Sequence, residues 1–145
     1  MNDKINIVPY VSVAGVRFGA SPEQAKQKLG LPAVERVTRG GEFVMQYPNN
    51  ILRFDKKSRV LRECTVPFGA DVHLDGEKVD WTVDGLLGLC RRDGSPLEYY
   101  GSVVLFSLGV ALTGVEDGAE CDRSITAFCR GVWDDLREQM SSFET

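Results

Sequence analysis

The sequence predicts an α+β fold, with a curved antiparallel sheet built from two related helix-plus-strands halves and the helices packed on one face of that sheet. Helix signals occur at two places, after Ser21 and after Thr82, and short stretches with strand-like alternation follow each of them. Glycine-containing and polar turns separate these stretches. Because each element has one apolar face, we expect the helices to bury theirs against the sheet.

The clearest helix signal lies in the segment Val16–Pro32, which reads VRFGASPEQAKQKLGLP. Ser21 suits the N-cap, and Gln24 three residues later completes a capping box. Pro22 fits the first helical position, where a missing N–H costs nothing. Gly30 can adopt the left-handed conformation that ends a helix. The sequence therefore predicts a helix of about two turns between these caps.

Short strands are predicted on both sides of this helix. Their residues alternate between apolar and polar types or are rich in β-branched side chains, and turns such as Arg39–Gly41 and Asp55–Arg59 separate them. The predicted strands of this half are Ile5–Val13, Val34–Thr38, Glu42–Tyr47, Ile51–Phe54 and Val60–Val66.

A second helix is predicted to begin near Thr82 and to end near Gly94. Its apolar residues recur at helical spacing and are Val83, Leu86, Leu87 and Cys90. The strands predicted after it are Glu98–Tyr100, Val103–Phe106, Val110–Val115 and Ser124–Arg130. A last helix is predicted from Trp133, followed by a frayed end at Ser141–Thr145.

The chain of 145 residues is expected to form a single domain, 1–145, either as one unit or as two pseudo-repeats of about 5–69 and 70–145. Ile51–Phe54 with its partner Val60–Leu61 has a counterpart in the second half. That counterpart is Val103–Phe106 with Val110–Leu112. Any α+β domain of this size can show such a likeness, so the sequence leaves the duplication open.

The composition argues against several classes of function. The chain has 17 Lys and Arg against 21 Asp and Glu, and this net charge of −4 disfavours a nucleic-acid-binding surface. It has no apolar run of membrane-spanning length, and its N-terminus lacks the pattern of a signal peptide. We therefore expect a cytoplasmic protein that binds neither nucleic acid nor membranes, with its four cysteines reduced.

No motif in the sequence identifies an enzyme. His73 is the only histidine, and the acidic residues near it are typical of a polar loop. Cys121 and Cys129 lie in no metal-binding pattern, and the chain has neither of the glycine-rich phosphate-binding motifs. We expect no catalytic residue, no metal site and no cofactor.

Two acidic loops, Asp71–Asp80 and Glu116–Asp122, are candidates for a contact surface. Such loops are usually solvated surface, but they can also dock a positively charged partner. Tryptophan is a frequent energetic centre of interfaces, although at a loop–helix junction it more often anchors the core. The residues expected to contact a partner are Asp75, Glu77, Asp80, Trp81, Glu116 and Asp117.

The segment Val16–Pro32 resembles a pattern near the start of many small bacterial proteins, F-G-(small)-S-x-E-x-(V/A)-x-x-x-L-G-x-P. These include immunity proteins encoded beside toxins, the repeat unit of beta-lactamase inhibitor proteins, and small outer-membrane-assembly lipoproteins. The stretches GVALTGVED and SITAFCRGVWD are similar to the end of such toxin-neighbour proteins. The sequence lacks the signal peptide and lipobox cysteine of the lipoproteins, which disfavours that branch.

The resemblance implies a non-enzymatic immunity-type inhibitor that binds and neutralises a cognate protein toxin. Because the candidate loops are acidic, the toxin is expected to present a basic surface, and the inhibitor is expected to be a monomer or a homodimer. Two alternatives stay open. One is a small-ligand-binding or enzymatic α+β domain, and the other is an assembly adaptor that dimerises through an edge strand.

Overall fold

The computed structural model describes residues 4–116 and 119–145, and it confirms the predicted α+β fold class. The elements of the first half, in chain order, are β1 (Ile5–Val8), β2 (Ser12–Val13), β3 (Val16–Arg17), α1 (Pro22–Leu29), β4 (Val34–Val37), β5 (Phe43–Tyr47), β6 (Asn50–Phe54) and β7 (Leu61–Pro67). Those of the second half are β8 (Val72–Leu74), β9 (Glu77–Lys78), α2 (Val83–Asp93), β10 (Leu97–Tyr99), β11 (Ser102–Leu105), β12 (Val110–Thr113), a 3₁₀ helix (Glu120–Asp122), β13 (Ser124–Phe128), a second 3₁₀ helix (Asp134–Gln139) and β14 (Ser141–Ser142).

Both α-helices begin where the sequence predicts, the first after the Ser21 cap and the second near Thr82. Ser21 Oγ accepts the N–H of Gln24 at 3.2 Å, and the Gln24 side chain accepts the N–H of Ser21 at 2.9 Å. Thr82 Oγ1 accepts the N–H of Gly85 at 3.0 Å. Gly94, with a φ of 88°, ends α2 in the left-handed conformation. These side-chain bonds satisfy N–H groups that the start of a helix leaves unpaired.

Nine strands form the main sheet, and all neighbouring strands in it are antiparallel. Their order is β14-β10-β11-β12-β13-β7-β6-β5-β4. From the central pair outwards, β7 is followed by β6, β5 and β4, and β13 by β12, β11 and β10. A helix precedes the fourth strand on each side. The main sheet therefore consists of two helix-plus-four-strand halves that meet at β7 and β13, and the short strand β14 extends one edge.

The register of the strands defines equivalent positions in the two halves. Thr65 of β7 lies directly opposite Thr126 of β13. We call two residues equivalent when they occupy the same place counted outwards from this pair. The equivalent pairs of the central row are Ile51 and Ala111, Gln46 and Val104, and Val34 and Leu97.

The main core lies on the face of the sheet that carries the two helices. Ala25 of α1 and Leu86 of α2 are buried there against sheet residues such as Phe54, Leu112 and Ile125. A small second sheet, in the order β3-β2-β1-β8-β9, contributes to the same cluster. We refer to the other side of the main sheet, which carries Thr65 and Thr126, as the opposite face.

Two predicted features near the strands are wrong. The predicted strand Ile5–Val13 is a hairpin, because the chain turns after Val8 and returns as β2. Tyr10 takes a φ of 64° in this turn and meets Phe128 edge-on, with 5.8 Å between ring centroids. The sequence matches β6 with β11 in the other half. In the structure the counterpart of β6 is β12, because β6 and β12 each lie next to the central pair.

The C-terminal segment also differs from the prediction. Asp134–Gln139 is a 3₁₀ helix, and Ser141–Ser142 pairs with β10 instead of fraying. The N–H of Phe143 donates to the carbonyl of Pro96 at 3.0 Å, and the Phe143 ring packs on the main core. Trp133, at the other end of the segment, packs on the opposite face. These two aromatic anchors hold the segment along the sheet.

Candidate functional site

Two of the predicted contact residues, Asp75 and Glu77, share one arginine. Arg92, in the last turn of α2, donates to Asp75 Oδ2 and to Glu77 Oε2, each at 3.0 Å. The two carboxylate side chains are 56% and 74% exposed. Two carboxylates and one guanidinium leave one net negative charge, so this group is a weaker negative patch than its sequence indicates.

Asp80 and Trp81 lie at the start of α2 and are both bonded within the chain. Asp80 Oδ1 accepts the N–H of Thr82 at 3.0 Å, and this bond holds the pKa of the Asp80 carboxyl below its ordinary value. The indole N–H of Trp81 donates to the carbonyl of Ala70 at 2.9 Å, and its ring meets Phe68 edge-on at 5.7 Å. Trp81 is half-buried and anchors its loop to the core.

The remaining predicted contact residues lie elsewhere. Glu116 is exposed shortly after β12, and Asp117 lies outside the described residues. Asp80 precedes α2, whereas Arg92 lies in its last turn, and α2 with its 11 residues is about 16 Å long at 1.5 Å per residue. Within the described part of the chain, no hydrogen bond or ion pair joins the Arg92 group, the Asp80–Trp81 pair and Glu116. The predicted residues therefore do not form one cluster.

The groups considered for catalysis or metal binding lie apart from one another. His73 Nε2 is 3.1 Å from Asp71 Oδ1 in a half-buried pair. Cys64 and Cys90 are buried, and burial raises the pKa of their thiols to about 12 and about 11. Cys121 is exposed, as the sequence indicates. Residues 4–116 and 119–145 contain no group of three or more His, Cys, Asp or Glu side chains that could hold a metal ion.

The opposite face of the main sheet differs between the two halves. In the second half, the C-terminal segment covers a small apolar cluster. The Trp133 ring lies 6.0 Å from the Phe128 ring and 6.2 Å from the Tyr99 ring, and its indole N–H donates to Glu63 at 3.0 Å. The buried residues of the cluster are Val104, Ala111 and Phe128.

The equivalent positions in the first half are open. Gln46, Ile51 and Pro67 take the places of Val104, Ala111 and Phe128, and all three are exposed or half-buried. They line a cleft of about 280 Å³, which we call the sheet cleft. Its walls are the turn between β5 and β6 on one side and the loop Cys121–Ser124 on the other.

Two residues that border the sheet cleft each have a buried polar atom without a hydrogen-bond partner among the described residues. Asn50 is 7% exposed, and its Oδ1 accepts no bond. Arg123 donates through Nη1 to the carbonyl of Trp81 at 2.9 Å, whereas its buried Nε donates to no acceptor. By strand alternation the Asn50 side chain lies with Leu52 and Phe54 on the core face of the sheet, and Arg123 reaches towards Trp81, which packs on the main core, so neither unpaired atom is presented to the sheet cleft.

A basic row continues the open half towards the edge of the main sheet. Arg36 and Arg53 lie on either side of Val44, on three adjacent strands. Val44 is fully buried although it lies on the opposite face. Neither arginine forms an ion pair within the described residues.

The sheet cleft and the basic row are the features that sequence reasoning missed. Alternation in β5 and β6 shows which residues share a face of each strand, but it does not show which strands are neighbours.

Among the described residues, no helix combines the length and the apolar composition that crossing a membrane requires. Comparison of the chain with protein-family models, with curated proteins and with solved structures found no match.

Proposed function

We propose that this chain is a non-enzymatic, immunity-type inhibitor that acts in the cytoplasm by binding and neutralising a cognate bacterial toxin. The observation that carries the proposal is the difference between the two halves of the opposite face, since one half is covered by the C-terminal segment and the other is open around the sheet cleft. A preorganised sheet face loses little conformational freedom when a partner docks on it. The open half is therefore our proposed docking surface.

The proposed docking surface carries both signs of charge: the basic row holds Arg36 and Arg53, and the acidic loops lie beside the cleft wall, so the partner needs a basic surface where it faces those loops. The hydrogen bond from Arg123 to Trp81 joins the cleft wall to the Asp80–Trp81 pair. The second acidic loop, which begins at Glu116, leads into the same wall. Acidic side chains on both loops favour fast, electrostatically steered association with a basic cleft on a toxin. The contact residues proposed from the sequence are Asp75, Glu77, Asp80, Trp81, Glu116 and Asp117. Of these, Trp81 is bonded to the cleft wall through Arg123, whereas Asp75 and Glu77 lie with Arg92 at the other end of α2.

The test of this function is growth rescue. Proteins of the source bacterium are captured on the immobilised full-length chain, and each captured protein is expressed in a sensitive host with and without the chain. A protein that stops growth only when the chain is absent supports the proposal. If none of the captured proteins is toxic, or if toxicity persists in the presence of the chain, the immunity function is wrong.

Charge reversal tests the contribution of the acidic loops. Replacing Glu116 and Asp117 by lysine is expected to slow association with the toxin by about 10-fold at low salt, because rim charges act mainly on the association rate. The matched control replaces Asp135 and Glu138, two exposed acidic residues of the C-terminal segment, by lysine. Stopped-flow or surface-based kinetics measures both variants, and equal rates would remove the loop that begins at Glu116 from the proposal.

Exposed valines on an edge strand favour the assembly adaptor as a second candidate. Val34 and Val37 of the outer strand β4 are 45% and 56% exposed. If the β4 strands of two copies pair antiparallel about a two-fold axis, residues on the same face lie opposite each other. An axis at Glu35 or at Arg36 then places two like charges directly opposite each other. We therefore expect a monomer of 16.0 kDa in light scattering. A stable dimer that substitutions in β4 abolish would favour the adaptor.

A further inference from the structure

We propose that the sheet cleft receives a tryptophan side chain of the partner protein. This inference rests on the proposed function only in taking the partner to be a protein. Its basis is the covered half of the opposite face, where the chain places its own Trp133 over the equivalent sheet residues.

The covered half shows which kind of side chain these sheet positions accept. Trp133 lies against Phe128 and Tyr99 and donates its indole N–H to Glu63. By register, the equivalents of Phe128, Tyr99 and Glu63 in the open half are Pro67, Arg36 and Ser124. Where Trp133 contacts Phe128, Tyr99 and Glu63, the open half therefore has the ring of Pro67, the cation of Arg36 and the hydroxyl of Ser124.

The chemistry of the sheet cleft matches the two properties of an indole. Ile51 and Pro67 line the cleft and provide apolar surface for the ring. The indole N–H needs an acceptor, and Ser124, which lines the cleft at the position equivalent to Glu63, offers its hydroxyl oxygen. A phenylalanine ring would fill the same space but would leave this acceptor unpaired.

The occupant has to come from a different protein. The chain has two tryptophans, Trp81 and Trp133, and each already donates its indole N–H within the chain, to Ala70 and to Glu63. A second copy could supply a tryptophan only by losing one of these bonds and the packing around it. A partner protein with an exposed tryptophan supplies it without that loss.

The experiment uses the isotopically labelled full-length chain and N-acetyl-tryptophanamide as the probe. We expect saturable NMR shifts at Ile51, Thr65 and Ser124 with a dissociation constant of roughly 1 mM, since one side chain makes few contacts. N-acetyl-phenylalaninamide, which lacks the ring N–H, is expected to bind several-fold more weakly. Shifts that do not saturate, or that lie away from the sheet cleft, would overturn the inference.

Two variants make the experiment specific to the sheet cleft. Ile51→Lys places a charge in the cleft and is expected to abolish the shifts. Val37→Lys introduces the same charge at an exposed valine of β4. Because Val37 lies on the face of the sheet away from the cleft, this variant is expected to leave the NMR shifts unchanged. Urea unfolding curves establish that both variants are folded, and binding by folded Ile51→Lys equal to that of the wild type would contradict the inference.

The outcome is separable from that of the proposed function. Growth rescue without binding of the probe would remove the tryptophan site and keep the immunity function. Binding of the probe without rescue would keep the tryptophan site and remove the immunity function.

Discussion

Thr65 and Thr126 lie directly opposite each other on the two central strands, with their hydroxyl oxygens 2.9 Å apart. Both residues are half-buried and lie on the opposite face of the main sheet. On one side of the pair the face is covered by the C-terminal segment, and on the other side it opens into the sheet cleft. The pair therefore marks both the junction of the two halves and the border of the proposed docking surface.

Replacing either threonine of this pair by valine is expected to lower the free energy of unfolding by about 1 kcal/mol, because the remaining hydroxyl loses its partner. The double variant removes donor and acceptor together and should be no less stable than either single variant. Urea unfolding of the three variants and the wild type measures this. Losses that simply add in the double variant would show that the two hydroxyls are independent.

Gly85 and Gly88 lie in the same helix but have different surroundings. A Cβ at Gly85 would lie 2.3 Å from the carbonyl oxygen of Asp80, whereas a Cβ at Gly88 would meet no atom within 4 Å. Gly85→Ala is expected to lower the free energy of unfolding by about 1–3 kcal/mol through overpacking. Gly88→Ala is expected to raise it by about 1 kcal/mol, because alanine favours the helix. Similar effects in thermal unfolding would contradict the close approach of Asp80 to α2.

Trp133 is expected to hold the C-terminal segment on the sheet through both its ring and its N–H. Trp133→Ala should lower the free energy of unfolding by about 3 kcal/mol, since it removes a large aromatic contact. Trp133→Phe keeps a ring but loses the bond to Glu63, so it should cost only about 1 kcal/mol. Urea unfolding measures both variants. An alanine variant as stable as the wild type would mean that the cover does not depend on this side chain.

The stabilising effect of Asp80 is expected to depend on pH. Its folded-state pKa is lowered from 3.8 by the hydrogen bond from the Thr82 N–H, so its contribution is present above pH 3.8 and is lost as the pH falls through the lower folded pKa. The difference in unfolding free energy between the wild type and Asp80→Ala should therefore be constant near neutral pH and should shrink in acid. A difference that is the same at all pH values would contradict the assignment.

Local signals accounted for most of the secondary structure that the sequence predicts. The cap at Ser21, the helix start near Thr82 and the cap at Gly94 depend on residues within a few positions of each other, and the structure confirms all three. The pairing of β7 with β13 joins residues 61 positions apart, and no local pattern encodes it. The wrong match of β6 with β11 and the 3₁₀ form of the predicted C-terminal helix both follow from this limit, because distant contacts place those segments.

The candidate site could be predicted only in part for the same reason. The sequence identified Asp75 and Glu77 by their charge alone. Their partner Arg92 lies 17 and 15 positions away, so the sequence does not show that its guanidinium pairs with both carboxylates. The neighbours Arg36 and Arg53 come together only when three strands pair. Surface charge is thus visible in the sequence, whereas its neutralisation and its grouping are properties of the fold.

The central claim is that the open half of the opposite face is the surface on which the partner docks. The most direct measurement is the affinity of the captured toxin for the wild type, Ile51→Lys and Val37→Lys by isothermal titration calorimetry. We predict that Ile51→Lys weakens binding by about 100-fold or more, because it places a charge at the centre of the interface, and that Val37→Lys binds as the wild type does. Wild-type affinity in a folded Ile51→Lys protein would contradict the claim.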